Sequence, residues 1–177
     1  MKEHRFAASV RWSGNTGQGT SNYAGYERRY EILAPGKPPI PGSSDPAFRG
    51  DGSRYNPEDL LVASVSACHM LWYLSLCSGA GLAVVSYEDE AEGTMTFDGH
   101  SGRFVSVLLR PRVRFAPGAD LHRADELHQE ANSRCFIANS LNFAVRHEAV
   151  HEVESGAGLR AAEDRSLAAV SAKAAEA

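Results

Sequence analysis

Cysteine is scarce in this sequence: three residues in 177, an odd number and too few for a disulfide scaffold. No Cys-x-x-Cys spacing occurs, so a zinc ribbon and a thioredoxin-type dithiol are both excluded. There is no basic excess either. Eighteen Lys and Arg against 22 Asp and Glu leave a net charge of −4, without the electrostatic footprint of a nucleic-acid binder. The glycine-rich stretch GNTGQG at 14–19 lacks a following Lys-Ser/Thr and the GxGxxG spacing, so it is not a phosphate loop. The opening MKEHRFAASVRW has no apolar h-region, and reduced thiols in the cytoplasm are the expected setting. No internal repeat is visible.

What is present is one long apolar run, NPEDLLVASVSACHMLWYLSLCSG, from 56 to 79. Asn56 can cap a helix, Pro57 suits its first position, and Glu58 and Asp59 complement the positive end of the helix dipole. No charged residue follows Asp59 until Glu88, and Gly79 or Gly81 can end the helix. Apolar residues occupy nearly every side, so the helix is expected to be buried almost all round. Its length would span a bilayer, but five Ser and His residues dilute it and its flanks are acidic. A central core helix, with no membrane, is therefore the reading.

Around it, residues 4–13 and 26–33 read as strands, and 34–54 as a long proline-rich loop carrying Arg49 and Arg54. Residues 82–97 and 104–115 read as a hairpin around Asp98-Gly99. A helix is expected over 120–132, a short one opened by Ser133 and holding Cys135, then a strand over 143–153. The order is α+β: an antiparallel sheet packed on a long central helix. One domain, 1–154, is followed by an Ala-rich tail, 155–177.

The chemistry centres on Cys68. A thiol reacts as thiolate, and apolar burial opposes ionisation, so a fixed cation is needed nearby. Arg49 or Arg54 can deliver a guanidinium, and Glu58 can hold it. Glu58 precedes Cys68 by ten residues, about 15 Å along one helix. The two cannot meet within one chain, so a site that uses both requires a two-fold homodimer. Cys77 falls on another helix face and reads as core. Cys135, at an expected helix start, is the plausible partner for Cys68; two unrelated buried thiols are the alternative.

The stretch NPEDLLVASVSAC, followed 67 residues after its cysteine by Cys135, resembles the OsmC/Ohr family of thiol-dependent hydroperoxide reductases. The resemblance runs from about Trp12 to Val153. It implies an intertwined homodimer with Cys68 as the peroxidatic thiol and Cys135 as the resolving one. It also implies an activating Glu58 with an upstream arginine, for which Arg49 fits better than Arg54. Where the family often has Cys-Pro, Phe136 follows Cys135. The implied cycle takes an organic hydroperoxide through a Cys68 sulfenic acid and a Cys68–Cys135 disulfide, reduced by an external thiol or lipoyl-type dithiol with no bound cofactor. Leu71 and Trp72 are expected to line the substrate pocket. The rivals are a metal site drawn from Cys68, His69, His122, His128, Cys135, His147 and His151, and a non-catalytic dimer that binds or senses an apolar ligand. His69 reads as a hydrogen-bonded interior histidine.

Overall fold

A computed structural model of the chain describes residues 2–155. The expected Ala-rich tail therefore lies, but for its first residue, outside the described residues. Two compact units divide at Leu61–Val62, a boundary that falls inside the long helix.

The first unit holds an antiparallel sheet in the order β1 (Ser9–Trp12), β2 (Tyr30–Leu33), β3 (Ile40–Gly42). β3 and a 3-10 turn, Pro46–Phe48, lie within the segment expected to be wholly irregular. The Asp45 carboxylate accepts the Ala47 N–H at 2.7 Å and caps that turn. Gly42 is required by close approach: a Cβ there would lie 2.3 Å from the Tyr30 ring that crosses it.

Helix α1 runs unbroken from Pro57 to Gly79. Its start is a reciprocal box: Asp59 N–H donates to Asn56 Oδ1 at 2.7 Å, and Asn56 N–H donates to Asp59 Oδ2 at 3.1 Å. Its end is a left-handed Gly81, φ 73°, with Leu82 N–H returning to Cys77 O at 2.9 Å. Within one chain only the stripe Val65, His69, Tyr73, Cys77 is buried, and Leu71 is 63% exposed. The expectation of burial all round is corrected here. A helix apolar on every side has no preferred face, and composition alone does not say how many faces its own chain covers.

The second unit contains β4 (Val84–Asp89), β5 (Glu92–Phe97), β6 (Gly102–Leu109), β7 (Pro111–Phe115), α2 (Leu121–Arg134), β8 (Ala144–His147) and β9 (Val150–Val153). They make two sheets, β4-β7-β9 and β5-β6-β8. β5 and β6 form the expected antiparallel hairpin, whereas β8 runs parallel to β6 and β9 parallel to β7. The α+β class holds, but the sheets are mixed. The two long strands expected from 82 to 115 each split in two. At the second break Arg110 turns its N–H to Asp89 Oδ1 at 2.6 Å, and Pro111, which has no N–H to give a ladder, opens β7.

The core joins Tyr73 and Cys77 of α1, Val113 and Phe115 of β7, and Ala124, Leu127 and Ala131 of α2. Burying side chains such as Phe115 or Leu127 contributes about 1.5–3 kcal/mol each. α2 is seated by Asp120, whose carboxylate accepts the N–H groups of His122 and Arg123.

Candidate active site

Cys68 sits mid-way along α1, half-buried, and Cys135 closes the C-terminal end of α2, fully buried. Both are free thiols. The two side chains are close enough to interact, and Cys68 helps to raise the Cys135 pKa. Burial pushes the Cys135 thiol up to about 11, and the neighbouring Cys68 thiol adds to the shift; the Ala138 N–H, 3.4 Å from Cys135 Sγ, opposes it. Cys135 is thus held protonated at neutral pH. The expected helix start at Ser133 is absent. α2 continues through Ser133 to Arg134, so Cys135 meets the negative end of a helix dipole rather than the positive one.

Trp72, one turn beyond Cys68, packs edge-on against Phe136, ring centroids 5.5 Å apart, with the Arg134 guanidinium 5.9 Å from the Trp72 ring. Phe136 is 69% exposed, so an aromatic, largely uncovered surface flanks the thiols. Arg134 is itself paired with Glu130 at 2.5 Å. Cys77 is core: it is fully buried, and burial raises its pKa. His69 is buried and bonded to His128 at 2.9 Å. Among the described residues no three His, Cys, Asp or Glu side chains are grouped to hold a metal ion.

Glu58 belongs to the first unit, with Arg49 and Arg54. It lines a pocket of about 360 Å³ together with Trp12, Tyr26, Arg28, Tyr30 and Phe48. The cation in that pocket is Arg28. Its guanidinium lies over the rings of Tyr23 and Tyr26, at 4.3 and 4.1 Å, and donates to Tyr23 O at 2.7 Å. Arg49 lines a second pocket, of about 520 Å³, with Arg28 and Arg29, and has the left-handed backbone (φ 65°) that non-glycine residues rarely adopt. Arg54 is paired with Asp51 at 3.4 Å. The structure therefore brings together Cys68 with Cys135, and Glu58 with Arg28; Arg49 and Arg54 line neither pocket wall beside Glu58.

Residues 50–149 match the family model described as OsmC-like protein. The chain belongs to the OsmC-like family. Among its relatives is the uncharacterized protein YmaD of Bacillus subtilis (strain 168), 23% identical over 159 residues, which span 88% of this chain and 99% of YmaD. An OsmC-like protein of unknown function from Vibrio cholerae superimposes with a TM-score of 0.76 at 29% identity, covering 84% of this OsmC-like chain and 100% of that one. An organic hydroperoxide resistance protein from Elizabethkingia anophelis shares the fold at a TM-score of 0.62 and 15% identity, covering 86% and 99%.

Proposed function

We propose that this chain is a thiol-dependent peroxidase that reduces organic hydroperoxides. The observation that carries the reading is the proximity of the Cys68 and Cys135 thiols where α1 and α2 meet. The Cys68 thiolate attacks the peroxide oxygen distal to the organic group. The O–O bond breaks, an alcohol leaves with one proton, and the sulfur becomes a sulfenic acid. Cys135 then attacks that sulfur, water departs, and a Cys68–Cys135 disulfide forms. A dithiol in the cytoplasm reduces it by exchange, so no bound cofactor is required.

The uncovered apolar side of α1, with Ala63, Ala67 and Leu71 exposed, is the surface on which a second copy packs. Because α1 is continuous, Glu58 and Cys68 of one chain stay about 15 Å apart along it. Each site is then completed by the Glu58 pocket of the other copy, with Arg28 as the guanidinium that steadies charge on the leaving oxygen. The aromatic lining of that pocket, with Trp72 and Phe136 beside the thiols, favours an organic over an inorganic peroxide. The test is steady-state turnover of cumene hydroperoxide with dithiothreitol. Activity is expected in the native chain and none in Cys68→Ser; undiminished turnover in that variant overturns the assignment.

A further inference from the structure

One residue beyond Cys68 and two turns before Cys135, α1 and α2 are joined by a pair of imidazoles. His69 Nε2 and His128 Nδ1 are 2.9 Å apart, and the rings lie 4° from parallel. Both side chains are fully buried, and the outer nitrogens, His69 Nδ1 and His128 Nε2, have no hydrogen-bond partner. Below His128 the Tyr73 ring stacks at 3.7 Å, and its hydroxyl donates to Ala124 O at 3.0 Å. The cross-helix contacts thus run in opposite directions along the two helices: Cys68 with Cys135, His69 with His128, Tyr73 with Ala124. The imidazole pair is the polar link next to the sulfurs.

We propose that His69 and His128 are a positioning pair for the thiol couple, holding α2 on α1 with the sulfurs in reach. This rests on the reading of Cys68 and Cys135 as a redox couple. The link exists only while the rings share one proton between the facing nitrogens; with both rings charged, two N–H groups point at each other. The surroundings do not accept that charge. Facing the pair are Tyr73 from α1, His147 from β8 and His151 from β9, the last two 5.4 and 5.3 Å from the His128 ring, while Cys77 and Tyr87 act on Tyr73 behind it. The carboxylate that acts on the cluster is Asp125 of α2, exposed, which favours charge on His147 and His151. Burial first, and neighbouring imidazoles second, hold His69 down to about 4 and His128 down to about 2.

The experiment uses one equivalent of 4,4′-dithiodipyridine, which works without peroxide. Cys68 displaces one thiopyridone and becomes a mixed disulfide. Cys135 then attacks the Cys68 sulfur and displaces the second, so two protein thiols are oxidised and one reagent disulfide is reduced. The rate of the second release reports how well the sulfurs are held together, and mass spectrometry maps the bridge. In the double variant His69→Phe/His128→Phe, which keeps ring shape and removes the link, the second release at pH 7 should be at least about tenfold slower relative to the first than in the native chain. His128→Asn, whose side-chain amide can meet His69 Nε2, should keep most of the native ratio and serves if the double variant does not fold. Equal ratios in the native chain and the double variant overturn the positioning role. Absence of a second release from the native chain overturns the redox couple instead.

Discussion

Acid should destabilise this fold steeply, and the histidine cluster gives the size of the effect. His69 and His128 are buried and neutral, and both are held below the ordinary imidazole value of 6.5 by burial. As pH falls below 6.5 the unfolded chain takes up protons that the folded chain refuses, so the equilibrium moves toward unfolding. Their contribution is complete above 6.5 and is lost downward from there, for His69 until about 4. Each group costs about 1.4 kcal/mol per pH unit in that window. At pH 5 the loss is about 2 kcal/mol for each, or about 4 kcal/mol for the pair, a large share of the ~5–15 kcal/mol that holds a domain together. His147 and His151, also lowered by burial, add in the same direction. Urea unfolding followed by tryptophan fluorescence at pH 7.5, 6.5, 5.5 and 5 measures it. His69→Phe/His128→Phe removes both partners at once, leaves no orphaned donor, and should flatten the dependence by about that amount. Equal unfolding free energies at pH 7.5 and 5 in the native chain would refute the reasoning, because the unfolded chain cannot avoid binding those protons.

Further outcomes follow from the same structure. Cys135→Ser should complete one peroxide turnover and then stall with Cys68 as sulfenic acid, seen as a single burst and a dimedone adduct at Cys68. Arg28→Ala should lower kcat/KM by about 100-fold or more, as loss of a charge-stabilising donor does, and Arg49→Ala by much less; the reverse order would move the cation to the second pocket. Leu71→Glu, placed on the exposed side of α1, should give a monomer by light scattering and abolish turnover. Tyr73→Phe should cost about 1 kcal/mol in urea, since the buried Ala124 carbonyl loses its donor.

The fold was legible where one signal governed one element. The Asn-Pro-Glu-Asp start gave α1 its first residue, because capping is local chemistry between Asn56 and Asp59. The hairpin around Asp98-Gly99 followed from turn chemistry in the same way. What could not be read was non-local. β8 and β9 pair in parallel with strands more than thirty residues earlier, and no pattern in AVRH or VHEV specifies that direction. The end of α2 was misplaced by a capping rule applied out of context. Ser133 looks like a helix start, but its hydroxyl bonds back to Glu130 O at 2.8 Å and the helix runs on beneath it.

At the site, the cysteine pairing was suggested by resemblance, while the cation was sought in the proline-rich loop because long loops carry function. The arginine that lines the Glu58 pocket lies elsewhere, in the alternation Tyr26, Arg28, Tyr30. Extended chain sends alternate side chains to one side, so these three share a face, and all three line the pocket of Glu58. Read as a strand, YERRYEIL offered two adjacent arginines on opposite faces, and only one of them lay among the tyrosines. Choosing it required knowing that Glu58 opens onto the same face, which depends on how β2 and the start of α1 are brought together. A guanidinium between two aromatic rings is also held without a carboxylate, by cation–π contacts and carbonyl oxygens. The arginine beside Glu58 thus has partners of its own in this structure.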